Sequence, residues 1–355
     1  MCTIGELITK VGSGVTPRGG EAVYKTEGHP FVRSQNVGLG NLLLDDIAFI
    51  DEETHLRQKN TELQFNDVLL NITGASIGRS ALVDKQIVGG NVNQHVCIIR
   101  TKENLVPSFI CSFLLSNYGQ RQIDSFQAGG NRQGLNFEQI KSIKITIPSK
   151  DEQIKIAKLL RAIDERIATQ NKIIDKLQSL IKGIAQNVAR NNKPNIRLSE
   201  CLECSSSTLQ ESDVCKNGTY PVYGANGIVG YLDNYNTEKE AVYIIKDGSG
   251  VGTVSYVTGK CSATGTLNTL QAKEGYSLQY LYYMLKVFNF EPYKTGMAIP
   301  HIYFKDYGKA KIFCPSYTEQ LKYARLLSAI DNKLSAEQSI LTDLSLQKQY
   351  LLRQM

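Results

Sequence analysis

Two stretches of the chain carry hydrophobic residues in alternating steps of four and three. The first runs from Ile156 to Val188 and the second from Tyr323 to Met355. This spacing, sustained over several heptads, favours a coiled coil over a helix with a single apolar face. The predicted seam consists of Ile156, Leu160, Ile163, Ile167, Ile174, Leu177, Leu327, Ile330, Leu334, Leu341 and Leu344. We expect the two helices to pair antiparallel; the alternative is two separate surface helices, each packed on its own domain.

The two stretches belong to an internal repeat. At an offset of 167 residues, segments 148–164 and 315–331 are identical at 11 of 17 positions. Each copy begins Pro-Ser-x-x-Glu-Gln, and a Ser three residues before a Glu is the spacing of a capping box at a helix N-terminus. A polar interruption of the seam, Gln170 and Glu337, falls at the same heptad position in both copies. The sequence therefore predicts a tandem duplication in which a long helix closes each copy.

The segments between the helices have the pattern of mixed α and β structure. Short β-branched and aromatic runs at 68–72 and 241–245 predict strands, and glycine loops follow them at 74–78 and 248–252. Predicted helices over 108–125 and 278–288 lead to second loops at 129–134 and 296–301, then to short strands at 143–147 and 310–313. The predicted fold is α+β: two pseudo-repeated mixed α/β domains, 1–147 and 196–314, joined by two long helices, 148–195 and 315–355, that form an antiparallel coiled coil.

Charge is concentrated in one of these segments. The chain has 355 residues, is 42% hydrophobic and carries a net charge of +6. Segment 148–195 holds 10 basic and 5 acidic residues, whereas the two mixed segments are each neutral. The basic excess therefore serves DNA phosphates, a partner surface or simply a solvated helix flank. Without a long apolar run or a secretory signal, the expected compartment is the cytoplasm.

The sequence lacks the motifs of the enzymes that such a chain could resemble. It has no phosphate-binding Gly-x4-Gly-Lys-Ser/Thr loop, no Asn-Pro or Asp-Pro dipeptide of an amino-methyltransferase, and no Pro-Asp…Asp/Glu-x-Lys nuclease pattern. Cys201 and Cys204 form a single Cys-x-x-Cys, but a zinc site usually needs a second pair. The four histidines show no metal-ligand spacing. We therefore expect a non-enzyme that holds no metal.

Several motifs resemble one family over essentially the whole chain. They are Gly14-Val15-Thr16-Pro17, the segment 31–37, the segment 67–79, Asn93-Gln94-His95-Val96, the segments 220–227 and 248–252, and the two Pro-Ser-x-x-Glu-Gln helix openings. In this duplicated order they resemble the specificity subunit of type I restriction–modification systems. One departure is Cys261-Ser262-Ala263-Thr264, where relatives often carry an aromatic residue before the threonine.

The resemblance implies a non-catalytic, DNA-recognising subunit. Each mixed domain would be a target-recognition domain that reads one half of a split sequence in double-stranded DNA, and the helix pair would fix the distance between the halves. The same helices would dock DNA methyltransferase (modification) subunits, usually two, which restriction/translocase subunits then join. S-adenosylmethionine, Mg²⁺ and ATP are expected only on the partner subunits, and this chain itself would bind no cofactor.

The residues that contact DNA are predicted from side-chain chemistry. Base reading uses Arg or Lys for guanine and Asn or Gln for adenine. The candidates are Arg33, Gln35, Asn36, Arg79, Asn93, Gln94, Asn131, Arg132 and Gln133 in the first domain, and Tyr223, Asn226, Lys246, Ser249, Asn268, Lys294 and His301 in the second. The foremost candidate is the polar loop 129–134, so Arg132→Ala is expected to alter recognition of one half-site only. For these positions the alternative is that Asn and Gly only make turns.

Two other classes of protein compete with this hypothesis. A DNA methyltransferase with its own recognition domains is disfavoured by the missing motifs. A coiled-coil scaffold without sequence-specific DNA binding is the stronger alternative, although polar loops at matching places in both copies speak against it. Salt dependence separates the two hypotheses, because phosphate contacts make log K fall linearly with log salt.

Overall fold

The computed structural model describes residues 1–17, 19, 23–127, 134–296 and 299–355. The chain divides into two compact units. One comprises Met1–Thr169 together with Leu341–Met355, and the other comprises Gln170–Ile340. Each long helix therefore contributes residues to both units.

The first mixed segment contains nine strands and four α-helices within its described residues. The strands are β1 (Cys2–Thr3), β2 (Ile8–Ser13), β3 (His29–Val32), β4 (Ala48–Ile50), β5 (Val68–Asn71), β6 (Ser80–Leu82), β7 (Asn91–Val92), β8 (Val96–Thr101) and β9 (Lys144–Ile145). The helices are α1 (Glu52–Arg57), α2 (Pro107–Leu114), α3 (Asn117–Ser125) and α4 (Phe137–Ser142).

These strands form three small sheets. The orders are β2-β8-β5-β6, β4-β3-β7 and β1-β9. All pairs are antiparallel except β3 with β7. Strand β5 is buried along its whole length because it lies between β6 and β8 with α2 packed against it. Its apolar residues therefore contribute to two hydrophobic clusters of this unit.

The helix predicted over 108–125 is wrong, because two helices occupy that stretch. The break lies at Leu115–Ser116, where the Ser116 hydroxyl caps α3 by accepting a hydrogen bond from Gly119 N at 3.1 Å. A Cβ atom at Gly119 would lie 2.3 Å from Phe113 O, so only glycine permits this tight turn. Capping chemistry at Ser116 thus prevails over a continuous helical pattern.

The second mixed segment repeats the arrangement of the first. Its strands are β10 (Ile196–Arg197), β11 (Leu202–Ser206), β12 (Tyr220–Gly224), β13 (Gly227–Leu232), β14 (Glu240–Ile245), β15 (Val254–Thr258), β16 (Ser262–Ala263), β17 (Leu267–Ala272) and β18 (Lys311–Ile312). Sheet orders β11-β17-β14-β15, β13-β12-β16 and β10-β18 match those of the first segment. The short helices are α6 (Leu198–Cys201), α7 (Leu278–Lys286) and α8 (Phe304–Tyr307). The duplication read from the sequence therefore extends to strand order.

Other predicted elements are found with shorter bounds. The first central strand ends at Asn71 rather than at residue 72, and α7 ends at Lys286 rather than at residue 288. The short strands before the long helices contain two residues each, Lys144–Ile145 and Lys311–Ile312. In each case the pairing partner, β1 or β10, is itself only two residues long, which limits the ladder.

The long helices are α5 (Lys150–Arg190) and α9 (Tyr317–Gln354). The predicted capping box is present only in part. Glu152 N donates to Ser149 Oγ at 3.4 Å, while at the second helix Ser316 Oγ donates to Glu319 Oε2 at 2.9 Å. The Ser-x-x-Glu pattern therefore marks the helix start correctly, but with side-chain bonds that differ between the copies.

The glutamine next to each of these glutamates anchors the helix to its own unit. Gln153 Oε1 accepts from Val106 N at 2.8 Å, and Gln320 Oε1 accepts from Ser277 N at 2.9 Å. Each Nε2 donates to the carbonyl of the proline five residues earlier. Both glutamines are buried, so the Glu-Gln motif joins the long helix to the N-terminus of α2 or α7.

The paired helices run antiparallel. In the first unit, Lys348 Nζ lies 2.5 Å from Asp164 Oδ1, and Met355 packs against the cluster that contains Ile156 and Ala157. In the second unit, Gln170 Nε2 donates to Glu337 O at 2.9 Å and also to the Glu337 carboxylate. Residue numbers thus fall along α9 as they rise along α5.

The burial of the seam follows the predicted heptads. Leu160, Ile163, Ile174, Leu327 and Leu334 are buried. The other seam residues are intermediate in exposure: Ile156, Ile167, Leu177, Ile330, Leu341 and Leu344. In α9 the buried residues of the predicted seam lie toward the helix start, whereas in α5 the heptad positions Ile181 and Val188 are buried as well.

Candidate nucleic-acid interface

In each half, a residue that follows the central strand is paired with a residue that precedes a short helix, α4 or α8. Thr73 forms an isolated β-bridge with Gly134, and Asp247 forms the equivalent bridge with His301. In the second half, Gly248 N also donates to Pro300 O at 3.0 Å. Gly134 and His301, the last residues of the second predicted loops, therefore lie beside the residues that precede the glycine loops, at equivalent positions in the two units.

The foremost predicted loop of the first half falls largely outside the part of the chain that the structure describes. Asn131, Arg132 and Gln133 lie outside the described residues. The chain re-enters the described part at Gly134, beside Thr73, and Leu135 N donates to Ile72 O at 2.8 Å.

Three other first-half candidates converge on one carboxylate. Arg33 Nη2 lies 3.3 Å from Asp46 Oδ2, Gln35 donates to the same oxygen, and Asn36 Nδ2 donates to Asp46 Oδ1 at 2.9 Å. Asn36 is fully buried, and its Oδ1 accepts from Arg33 N at 2.9 Å. Of the three side chains only that of Gln35 is exposed, so Asn36 shapes the turn that presents Gln35 and cannot reach DNA in this conformation.

Asn71 was missed by the sequence reading and ties two loops together. Its Nδ2 donates to Ser34 O at 2.8 Å and to Ser76 Oγ at 3.1 Å, from a fully buried position at the end of β5. Gln35 directly follows Ser34 in the chain, and the exposed Arg79 lies three residues after Ser76. The sequence did contain a signal for this role, namely an asparagine at the end of an otherwise apolar strand. A buried side-chain amide needs hydrogen-bond partners, so such a residue is expected to hold neighbouring segments together.

Asn93 and Gln94 differ in accessibility. Asn93 is buried and its Oδ1 accepts from His95 N at 3.0 Å, which makes it a turn residue. Gln94 is exposed, and its Oε1 accepts from Thr16 N at 3.0 Å. His95 Nδ1 is hydrogen-bonded to Thr73 Oγ1, so Gln94 lies close to the loop edge that Thr73 shares with Gly134.

In the second half, Tyr223 and Asn226 flank the hairpin between β12 and β13. Tyr223 is half-buried and packs on Tyr243 with ring centroids 5.7 Å apart; burial raises the pKa of the Tyr223 hydroxyl. Asn226 is exposed at the turn, and Gly227 follows it with φ +101°, which glycine adopts without strain. Asn226 is thus the more accessible of the two candidates.

Two further candidates, Ser249 and Lys294, sit on the loops that meet at the bridge. Ser249 is exposed, whereas the Lys294 ammonium is paired with Glu291 Oε1 at 2.5 Å. His301 Nδ1 lies 2.7 Å from Asp247 Oδ1. The charges of Lys294 and Asp247 therefore have local partners within the protein.

Lys246 and Asn268 line an open cleft of about 450 Å³ at the same edge. Asn268 is buried at its floor, where its Oδ1 accepts from Ser206 Oγ at 2.9 Å and its Nδ2 donates to Tyr307 Oη at 3.3 Å. The other lining residues are Cys204, Ser206, Asp247, Ile302, Tyr303, Phe304 and Lys305. Tyr303 and Lys305 are not among the DNA contacts predicted from the sequence, because a single Tyr-Phe-Lys tripeptide belongs to no periodic pattern or motif.

The thiols of the single Cys-x-x-Cys are not arranged as metal ligands. Burial raises the pKa of Cys201 to about 12 and that of Cys204 to about 11. Among the described residues no group of three or more His, Cys, Asp or Glu side chains is positioned to hold a metal ion. No helix in the described part of the chain combines the length and apolarity needed to cross a bilayer.

Comparison with known proteins gives a concordant family match. The profile of the type I restriction modification DNA specificity domain matches twice, at residues 1–179 and 194–345. A Mycoplasma genitalium protein named a type I specificity subunit is 25% identical over 319 residues, which are 82% of this chain and 81% of that protein. The EcoprrI specificity subunit of Escherichia coli is 28% identical over 112 residues, 32% of this chain and 28% of that protein.

Solved structures share the fold. The crystal structure of a type I restriction–modification S subunit from M. genitalium matches with a TM-score of 0.69 and 18% identity, covering 99% of this chain and 94% of that chain. A chain from a study of complex assembly and conformational transition in the type I system matches with a TM-score of 0.56 and 17% identity, covering 99% and 95%.

Proposed function

Because the chain belongs to the family defined by the type I restriction modification DNA specificity domain, we propose that it recognises a bipartite DNA sequence for a type I restriction–modification complex. Each unit reads one part of the target. The observation that carries this proposal is that equivalent positions in the two units carry different side chains, Thr73 beside Gly134 in one and Asp247 beside His301 in the other. One scaffold used twice with different surfaces suits two different half-sites.

The helix pair acts as the spacer between the two readers. Rigid antiparallel helices hold two DNA-contacting surfaces at a set number of base pairs. Gln153 and Gln320 support this role, since each joins a helix start to its own unit through buried hydrogen bonds.

Methyltransferase subunits dock on the outer face of the helices, one on each. Leu159 and Leu326 occupy equivalent positions of the repeat, and both are 50% exposed, although each is followed by a buried seam leucine. Exposed leucines repeated at the same place suit two copies of one partner. In this proposal the chain is non-catalytic, and S-adenosylmethionine, Mg²⁺ and ATP bind on the partner subunits.

Purification of the complex from the source cells, followed by intact-complex mass measurement, tests the proposal. We expect two methyltransferase subunits per chain, and methylation mapping of the genome should yield a split target. Recovery of the chain without a methyltransferase, together with no DNA affinity at any salt concentration, would instead support a coiled-coil scaffold.

A further inference from the structure

We infer that the cleft of the second unit holds a DNA backbone phosphate between Lys246 and Lys305, with Tyr303 positioning Lys305. The inference rests on the proposed DNA-recognition function and assigns a contact within it. The cleft lies beside the bridge between Asp247 and His301, where the two polar loops of this unit meet.

The backbone holds Lys246 against the segment that carries the other two residues. Lys246 N donates to Thr266 O at 3.0 Å, and Lys246 O accepts from Ile302 N at 2.9 Å. Ile302 immediately precedes Tyr303, so the two sides of the cleft are fixed to each other by main-chain hydrogen bonds. A preorganised pair of cations loses less conformational freedom on binding than two lysines on separate loops.

Both ammonium groups are available for an anion. Within the described residues, neither Lys246 nor Lys305 forms an ion pair, unlike Lys294. The only acidic side chain among the lining residues, Asp247, already faces His301. Lysine binds phosphate as a point charge, so two ammonium groups at one cleft suit a backbone phosphate.

Tyr303 has a positioning role. Its side chain is exposed, and Lys305 Nζ lies 5.3 Å from the centroid of its ring. This cation–π contact restrains a side chain that would otherwise sample many rotamers. Phenylalanine at position 303 keeps the ring face, whereas alanine removes it.

The first unit lacks this clamp. The residues equivalent to Lys246 and Lys305 are Ile72 and Glu138, and Glu138 is paired with Lys141 at 2.7 Å. The clamp is therefore a property of the second unit, and it supplies affinity on one side of the complex only.

Salt-dependent binding to a mixed-sequence DNA duplex tests the clamp, using the full chain with its co-purified partners. Each neutralised phosphate contributes about 0.9 to the slope of log K against log salt. Because the two lysines share one phosphate, we expect the double variant Lys246→Ala/Lys305→Ala to reduce the slope by about one, and each single variant to reduce it by up to that amount. Lys246→Arg retains a positive charge and should keep most of the slope. Lys216→Ala, an exposed lysine of the same unit outside the cleft, serves as the matched control.

Tyr303→Phe and Tyr303→Ala together test whether the aromatic ring of Tyr303 positions Lys305. Tyr303→Phe should bind as the wild type does, and Tyr303→Ala should weaken binding with little change in slope. Unchanged slopes for both lysine variants, with the wild type still binding DNA, would overturn the clamp and leave the proposed function standing. Loss confined to one base substitution in the mapped target would make Lys305 a base reader instead. A wild-type complex without DNA affinity would overturn both proposals.

Discussion

Two neighbouring side chains that touch the same carboxylate differ in what they do. Gln35 and Asn36 both donate to Asp46, but Asn36 is fully buried and has three protein partners, whereas Gln35 is exposed. A buried amide whose partners are removed costs more than an exposed one, since water cannot replace them. Residue type alone placed both among the DNA contacts, and burial separates them.

Substitution of these two residues should therefore have opposite consequences. We expect Asn36→Ala to lower the free energy of unfolding by about 2 kcal/mol, because it leaves Arg33 N, Leu43 O and Asp46 with fewer partners. Gln35→Ala should change stability by less than about 0.5 kcal/mol and alter DNA binding instead. Urea unfolding and duplex binding of both variants are the measurements. Equal stability of the two variants would contradict the assigned roles.

At the scale of elements, the same contrast appears along the second long helix. Leu326 and Leu327 are adjacent, yet Leu326 is 50% exposed and Leu327 is fully buried in the seam. Leu159 and Leu160 repeat this pattern on the first helix. One leucine of each pair is buried in the seam, and the other is exposed on the face where we propose that the partner docks.

Because Leu326 and Leu327 are adjacent, a substitution of the exposed Leu326 is a matched control for a substitution of the buried Leu327. Leu327→Asp places a charge in the seam and should cost at least about 4 kcal/mol, so that helix pairing and partner docking are both lost. Leu160→Asp should act in the same way. Leu326→Asp should leave thermal stability within about 0.5 kcal/mol and weaken methyltransferase co-purification. Circular dichroism melts and pull-down of the partner distinguish these results. A complex retained with both Leu160→Asp and Leu327→Asp would refute the helix pair.

The polar layer of the seam should make helix pairing sensitive to acid. Hydrogen bonds from Lys333 and Gln170 lower the pKa of the Glu337 carboxyl below its usual value. A carboxyl with a depressed folded-state pKa stabilises the fold above its unfolded pKa, near 4.5, and that stability is lost as pH falls through the lower folded value. Glu337→Gln should therefore flatten the loss of thermal stability between pH 5 and lower pH. An unchanged acid profile would show that Glu337 contributes nothing to it.

At the scale of the whole molecule, residues 341–355 belong to the first unit although they follow the second in sequence. Lys348 pairs with Asp164 and reaches Leu39 O at 3.5 Å, and Met355 packs on the hydrophobic cluster of the first unit. The stability of the first unit thus depends on residues at a sequence distance of nearly two hundred positions.

A truncation tests that dependence. Removal of residues 341–355 should increase amide hydrogen exchange in α2 and along the first half of α5 and should leave β14 of the second unit protected. Hydrogen exchange read by mass spectrometry measures both regions in one sample. The matched variant Lys348→Met keeps the packing volume and should show a smaller effect. Equal exchange in the truncated and full-length chains would contradict the assignment of this segment to the first unit.

Much of this architecture could be predicted from the sequence, because its signals are periodic. Heptad spacing predicted the seam, and the 167-residue offset predicted the duplication, in which Gln170 and Glu337 are equivalent positions. The structure adds that these two residues contact each other. The break between α2 and α3 was not predicted. It depends on the Ser116 cap and on the close approach of Gly119 to Phe113, and neither feature appears as a periodic pattern in the sequence.

The candidate site was less predictable for a related reason. Residue type identifies groups that could read DNA, but it does not show which of them the fold buries. Asn36, Asn93 and Asn268 proved to be buried. Tyr303 and Lys305 gain significance only when folding brings them beside Lys246, which lies far away in sequence.

The division of each long helix between two units has a consequence for synthesis on the ribosome. Domains usually fold in the order in which they emerge, with the N-terminal domain first. Here the first unit stays incomplete until residues 341–355 have been translated, whereas the second unit comprises one continuous stretch, Gln170–Ile340. The second unit can therefore complete its fold before the first one. Until residues 341–355 have been made, the surface of the first unit that contacts α9 stays exposed. Nascent chains of this protein should accordingly depend on chaperones more in their first half than in their second.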